Sequence, residues 1–192
     1  MRLMEERILS EGRVLPGYIL KVGSFFNQQI DIELLRAAGE EIAALYGDCG
    51  VNKILTIEAS GIALATASGL SMGVPVVFAK KHKSSNVGDD VISARIHSYT
   101  HGGDYDAVVS GEYLRRGDRV LIVDDFLAKG CALRGLIELA EKAGAEVVGA
   151  AIGIEKGFQG GGDDLRSRGV RIESLAVIDE MDGDKITFRK SV

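Results

Sequence analysis

Along the chain the spacing of apolar positions changes several times, and each change marks an element. The first dozen residues read as a short helix closed by Gly12. From Val14 to Phe26 apolar residues are mixed with Pro16, Gly17 and Gly23, which predicts an extended, irregular stretch. Asp31 is an N-cap for a helix to about Tyr46, with Leu35, Ile42 and Tyr46 on one stripe and Gly47 or Gly50 ending it. Lys53 to Glu58 then reads as a strand, Ala59-Ser60-Gly61 as a turn, and an Ala-rich helix follows to about Gly73. Pro75 opens a further apolar strand, Val76 to Ala79.

Residues 80–90 are polar and basic and predict a mobile loop entering a hairpin arm, in which Ile92, Ala94 and Ile96 alternate with Ser93, Arg95 and His97. A short strand is expected around Ala107 to Ser110, and a buried one from Arg119 to Val123. A glycine-containing turn, a helix to Gly144 and a strand from Val147 to Ile154 complete a second strand, helix, strand unit. The tail adds a strand at Ile172 to Ile178 and a hairpin signal at Asp182-Gly183 before Ile186 to Phe188. Alternation of this kind predicts an α/β fold whose central parallel sheet is flanked by helices, with ligands at the strand ends. The informative loops follow Glu58, Ala79, Val123 and Ile154.

At 192 residues, 46% hydrophobic and 27% charged, the chain is sized for one globular domain and is not a disordered segment. The 23 basic and 28 acidic residues leave a net charge of −5, which argues against a main role in gripping nucleic acid or an anionic membrane. The charged start of the chain predicts no signal peptide, no later window suits a membrane span, and a cytoplasmic address is expected. Cys49 and Cys131 stand far apart without CxxC spacing, and His82, His97 and His101 show no metal-ligand spacing, so no resident metal is expected. Glycine is in excess, 25 residues, nearly twice a background of roughly 7%. Much of the backbone must turn tightly or approach something closely.

The most informative segment is Val120-Leu121-Ile122-Val123-Asp124-Asp125-Phe126-Leu127-Ala128-Lys129-Gly130-Cys131-Ala132. Small residues from Ala128 to Ala132 let successive backbone N–H groups curl around a phosphate at a helix start. Asp124 and Asp125, at the strand end, can accept hydrogen bonds from the two hydroxyls of a ribose. The spacing suits a ribose 5-phosphate and fits neither GxxxxGK[ST] nor GxGxxG.

This segment resembles the phosphoribosyl pyrophosphate (PRPP) motif of the type I phosphoribosyltransferases. Four further blocks run in the order of that family: Leu20-Lys21-Val22 with Phe25-Phe26-Asn27-Gln28-Gln29-Ile30-Asp31, Thr56 to Ala63, Pro75 to Ser84, and Ile154-Glu155-Lys156-Gly157-Phe158. Together they resemble the xanthine phosphoribosyltransferases, over nearly the whole chain.

The resemblance implies a type I phosphoribosyltransferase fold formed by residues 1–192 as one domain, with a small hood from about 1–35 and 155–192. It implies that Ala128, Lys129, Gly130, Cys131 and Ala132 hold the 5-phosphate, with Asp124 and Asp125 on the ribose hydroxyls. Many relatives carry threonine where this chain has Ala132, so the amides carry more of the binding. Lys129 is read either as a charge beside the phosphate or as a solvated loop lysine. Glu58, Ala59, Ser60 and Gly61 correspond to the pyrophosphate loop, and Lys81 and Lys83, with Lys80, to cations facing the pyrophosphate, partly across a dimer interface; the alternatives are a plain turn and a solvated basic stretch. Leu20, Asn27 and Lys156 are implied as the base pocket. Asn27 offers a donor and an acceptor, and Lys156 favours an electron-rich oxopurine. Phe26 and Phe158 either flank the ring or belong to the core. Cys131 is either a thiolate-prone residue at a helix start or simply a small residue that fits.

Hypoxanthine-guanine relatives place an acid where this chain has Ala128, so a side-chain base for the purine is missing and xanthine is expected to react largely as its anion. The expected reaction joins xanthine to PRPP, giving xanthosine 5'-monophosphate and pyrophosphate, with Mg2+ carried by PRPP and a homodimer as the assembly. The rivals are a transferase for guanine, hypoxanthine or adenine, and a non-catalytic PRPP-sensing regulator.

Overall fold

The computed structural model describes residues 1–81, 90–98, 103–182 and 185–190. Most of the loop expected at 80–90, residues 82–89 with His82 and Lys83, lies outside the described residues, as do His101 and Gly183. A six-stranded sheet forms the centre, in the order β10-β9-β8-β7-β3-β4, where β3 is Lys53–Ile57, β4 Val76–Ala79, β7 Arg119–Leu127, β8 Glu146–Lys156, β9 Ile172–Asp182 and β10 Lys185–Phe188. All neighbours are parallel except β10, which returns antiparallel along β9.

Alternate residues of the central strands feed two cores. Ile54, Leu121, Val123 and Ala151 pack with α1 (Arg2–Glu11), α2 (Ile32–Tyr46) and α3 (Gly61–Met72). Leu55, Val120, Ile122 and Ala150 pack on the other face with α4 (Cys131–Ala143) and the hairpin of β5 (Val91–Ser98) and β6 (Gly103–Ser110). Burial on both faces is why these strands read as continuous apolar runs. In α2 the Asp31 carboxylate caps the helix by accepting from Glu33 N and Leu34 N, both at 3.0 Å. Its fully buried stripe is Leu34, Ala38, Ile42 and Tyr46, an i, i+4 row, and the expected Leu35 packs partly buried at its edge. Gly47 continues as a helical residue, and Gly50, at φ 65°, ends the turn.

Two expectations are corrected. The stretch after residue 13 is a hairpin of β1 (Arg13–Leu15) and β2 (Ile19–Lys21), turned at Pro16-Gly17-Tyr18 and followed by a wide π-helical turn, Gly23–Asn27. Three-residue strands are too short to show a period, which is why the segment reads as irregular. The strand expected to end at Val123 runs on to Leu127, because β8 continues to pair with it as far as Leu127 opposite Glu155. A seven-residue helix, α5 (Gly161–Ser167), lies in a glycine-rich stretch for which no element was predicted.

The chain crosses from β3 to β4 on one side of β3 and places β7, β8 and β9 on the other. The sheet therefore changes winding direction between β3 and β7, where such sheets open a crevice at the carboxyl ends. The β3–β7 ladder stops at Leu55 opposite Ile122, so the two strands part just before Glu58 and Asp124.

Candidate active site

Asp124 and Asp125 stand on β7 beyond that fork, 6% and 7% exposed. Asp124 Oδ1 accepts from Asp125 N at 3.0 Å, and Asn27 Nδ2 donates to Asp125 Oδ2 at 3.4 Å. The π-helical turn thus brings Asn27 to the acidic pair across 98 positions of sequence. Burial, and next the neighbouring Asp125 charge, hold the Asp124 carboxyl well above the usual carboxylate range. Tyr105, half-buried on β6, is pushed up by burial and then by the charge of Asp124.

The loop from Ala128 to Ala132 joins β7 to α4, and Gly130 takes φ +80° at the helix start, where no side chain caps the N–H groups. Exposed amides at such a helix start, with the helix dipole behind them, suit an anion. Gly161 braces the loop from behind: its N–H donates to the Ala128 carbonyl at 3.2 Å. A Cβ there would lie 2.3 Å from Ala128 O and 2.6 Å from Gly130 N. The Arg134 guanidinium donates to the Lys129 carbonyl and meets Asp164 at 2.9 Å, tying α4, the loop and α5 together.

Glu58 begins the turn into α3 and has a cis peptide bond to Ala59. Its carboxylate accepts from Lys81 N at 2.8 Å and its N–H donates to Ala79 O at 3.0 Å, which joins the ends of β3 and β4. Lys81 Nζ sits 5.6 Å from the centre of the Tyr105 ring. A concavity of about 390 Å³ is lined by Asn27, Ala59, Ser60 and Lys81 together with Phe26 and Gln28. Residues expected on the base and residues expected on the pyrophosphate therefore share one cavity. A larger groove, about 560 Å³, lies elsewhere, along Val76, Phe78, Val109 and Tyr113. Of the expected substrate contacts it holds Lys80 and none of Glu58, Asp124, Asp125 or the loop from Ala128 to Ala132, so size does not choose the site.

Lys156 ends β8; its ammonium donates to the Tyr18 carbonyl at 2.8 Å and lies 5.7 Å from the Phe126 ring centre. Burial lowers its pKa below the ordinary lysine value. The Tyr18 and Phe158 rings meet at 5.5 Å, whereas Phe26 is a core residue, 3% exposed, that also touches the cavity. Leu20 is 7% exposed and packs in the core rather than on the cavity wall. Cys131 is half-buried in the first turn of α4, and Lys129 is exposed.

Sequence reasoning missed Tyr18, the partner of Lys156; Tyr105; the bracing pair Gly161 and Arg134; and the buried Thr56 beside Gly61. The run Gly160-Gly161-Gly162 was the available signal for the brace. Among the described residues no cluster of three or more His, Cys, Asp and Glu could hold a metal ion, and no helix is long and apolar enough to cross a membrane.

Residues 27–178 match the family described as phosphoribosyl transferase domain. A xanthine phosphoribosyltransferase of Lactiplantibacillus plantarum is 50% identical over 188 residues, which cover 98% of this chain and 96% of the relative. Xanthine phosphoribosyltransferase 1 of Clostridium perfringens is 51% identical over 190 residues, covering 98% of this chain and 100% of the relative. Among solved structures, the adenine phosphoribosyltransferase of Giardia lamblia with 9-deazaadenine superposes with a TM-score of 0.76 at 22% identity, covering 93% of this chain and 98% of that one. That likeness carries the fold.

Proposed function

The chain belongs to the phosphoribosyltransferase family, among its xanthine phosphoribosyltransferases, and on that premise we propose that it converts xanthine and Mg-PRPP to xanthosine 5'-monophosphate and pyrophosphate in purine salvage. The bond from C1' to the pyrophosphate oxygen breaks, the bond from purine N9 to C1' forms, and the N9 proton leaves with ionisation of the base. Between them lies an oxocarbenium-like ribosyl group, so the work of the protein is to align N9 with C1' and to stabilise the departing charge.

What most supports this reading is that Asp124 and Asp125 stand near the end of β7, just before the Ala128–Ala132 loop, with Asn27 bonded to Asp125. Asp124 and Asp125 accept from the ribose hydroxyls, and the amides from Ala128 to Ala132 bind the 5-phosphate, with Lys129 beside them. The loop Glu58-Ala59-Ser60-Gly61, with Lys81 and Lys83, faces the pyrophosphate, whose Mg2+ arrives as part of the substrate. Asn27 and Lys156 read the oxopurine, while Leu20 supports the pocket from within the core. Lys156 keeps the Tyr18 carbonyl as a second partner, which aims a half-buried cation at the base.

In this reading the hood is drawn from within 1–35 and 155–192, the second span also giving β9 and β10 to the central sheet. The bond from Lys156 to Tyr18 supports it, as does the donation from the Met1 amino group to the Leu175 carbonyl. A homodimer and a cytoplasmic address complete it, on the strength of the family resemblance. Incubating the purified protein with xanthine and Mg-PRPP should release xanthosine 5'-monophosphate and pyrophosphate in equal amounts. Binding of PRPP without turnover of any purine would instead make the protein a regulator.

A further inference from the structure

Among the described residues, the Thr56 hydroxyl is a fully buried oxygen with no hydrogen-bond partner. An unsatisfied buried hydroxyl costs stability, and such groups are uncommon enough to call for an explanation, often at a functional site. Its position supplies one. Leu55 is the last residue of β3 paired with β7; Thr56 pairs only with Phe78 of β4 and so lies at the fork where the strands part. Gly61, the first residue of α3, fills the fork, and a Cβ on it would lie 2.3 Å from Thr56 Oγ1 and 2.8 Å from Asp124 Oδ1. The unpaired hydroxyl and the buried carboxylate thus converge on the spot that the missing side chain leaves open.

We propose that Thr56 is a positioning residue for Asp124: when the ribose of PRPP engages the acid, the carboxylate shifts into the space beside Gly61 and within reach of the Thr56 hydroxyl, which donates to it and holds it ionised and oriented. This rests on the PRPP-binding reading above. Donation by the ribose hydroxyls is strongest to an ionised acceptor, and burial makes the ionised form of Asp124 costly. The Asp125 amide already supplies one donor. A hydroxyl hydrogen rotates freely and a carboxylate accepts several bonds, so Thr56 supplies a second donor without displacing the first. The free chain leaves the hydroxyl unsatisfied and the complex satisfies it, which adds to affinity for the ribose.

The test is Thr56→Val, which keeps the shape and removes the hydroxyl. The ligand-free variant should melt no lower than the parent chain, because an unpaired polar atom has been removed. Calorimetric affinity for Mg-PRPP should fall about tenfold, as for loss of one bond to a charged acceptor. KM for xanthine at saturating PRPP should stay unchanged, and Thr56→Ser should restore most of the PRPP affinity. Should Thr56→Val fail to fold, the comparison of Thr56→Ser with Thr56→Ala decides, with the serine form binding more tightly. Parental Mg-PRPP affinity in Thr56→Val, or equal losses in the serine and the hydroxyl-free variants, would overturn the role of Thr56. Failure of the parent chain itself to bind Mg-PRPP would overturn the underlying reading instead.

Discussion

At the scale of single residues, the site is built by placing a carboxylate where its charged form is costly. The Asp124 carboxyl keeps its proton to a higher pH in the folded chain than in the unfolded one, where the value is near 3.9. Below about pH 3.9 both states hold the proton and the residue costs nothing. As pH rises above about 3.9 towards the folded value stability is lost, so the residue destabilises the folded chain at neutral pH. Asp124→Asn should therefore melt above the parent chain at pH 7, and that gain should vanish as the pH is lowered below about 4. The same substitution should reduce kcat/KM for PRPP about a hundredfold, since the amide is a poorer acceptor for ribose hydroxyls. Melting curves at the two pH values and steady-state kinetics check both; an asparagine form less stable than its parent at pH 7 would contradict the electrostatics.

At the scale of elements, the loop from Ala128 to Ala132 is shaped from behind by α5 as well as by its own small residues. Gly161→Ala would drive a methyl into the Ala128 carbonyl, 2.3 Å away, and backbone cannot swing aside as a flexible side chain does. KM for PRPP should rise about tenfold while KM for xanthine at saturating PRPP stays put, with a stability loss of roughly 1–3 kcal/mol from overpacking. Unchanged PRPP kinetics would show that the brace does not shape the loop. The strand-loop-helix unit at 119–143 was legible in the sequence because a buried apolar run, two acids and a small-residue helix start are all local signals. The brace was not, because it depends on a contact between residues some thirty positions apart, Ala128 with Gly161. The hairpin at 13–21 escaped for a different reason, since its strands are too short for alternation to register. Asn27 and Lys156 were legible only through resemblance; the bond from Asn27 to Asp125 and the Tyr18 partner of Lys156 come from tertiary packing.

At the scale of the whole molecule, one buried ion pair joins the sheet to the elements around the site. Glu155, with a side chain 1% exposed, accepts from the Arg166 guanidinium through both oxygens, at 2.8 and 2.6 Å, and from the Ser174 hydroxyl. Arg189 extends the network by bridging Asp163 of α5 and Asp179 of β9. Removing one partner of a buried pair strands the other charge, so Arg166→Ala should cost about 3–5 kcal/mol in denaturant unfolding. A loss under about 1 kcal/mol would mean that the pair behaves as an exposed one. The network holds α5 against the loop from Ala128 to Ala132, while the far end of β8 carries Lys156, which donates to the Tyr18 carbonyl.

The central claim is that this crevice joins an oxopurine to PRPP and selects xanthine through Lys156 and Asn27. Its most direct test is an initial-rate assay with Mg-PRPP against xanthine, guanine, hypoxanthine and adenine in turn. The account predicts turnover dominated by xanthine, whereas a higher kcat/KM for any of the other three bases would contradict it.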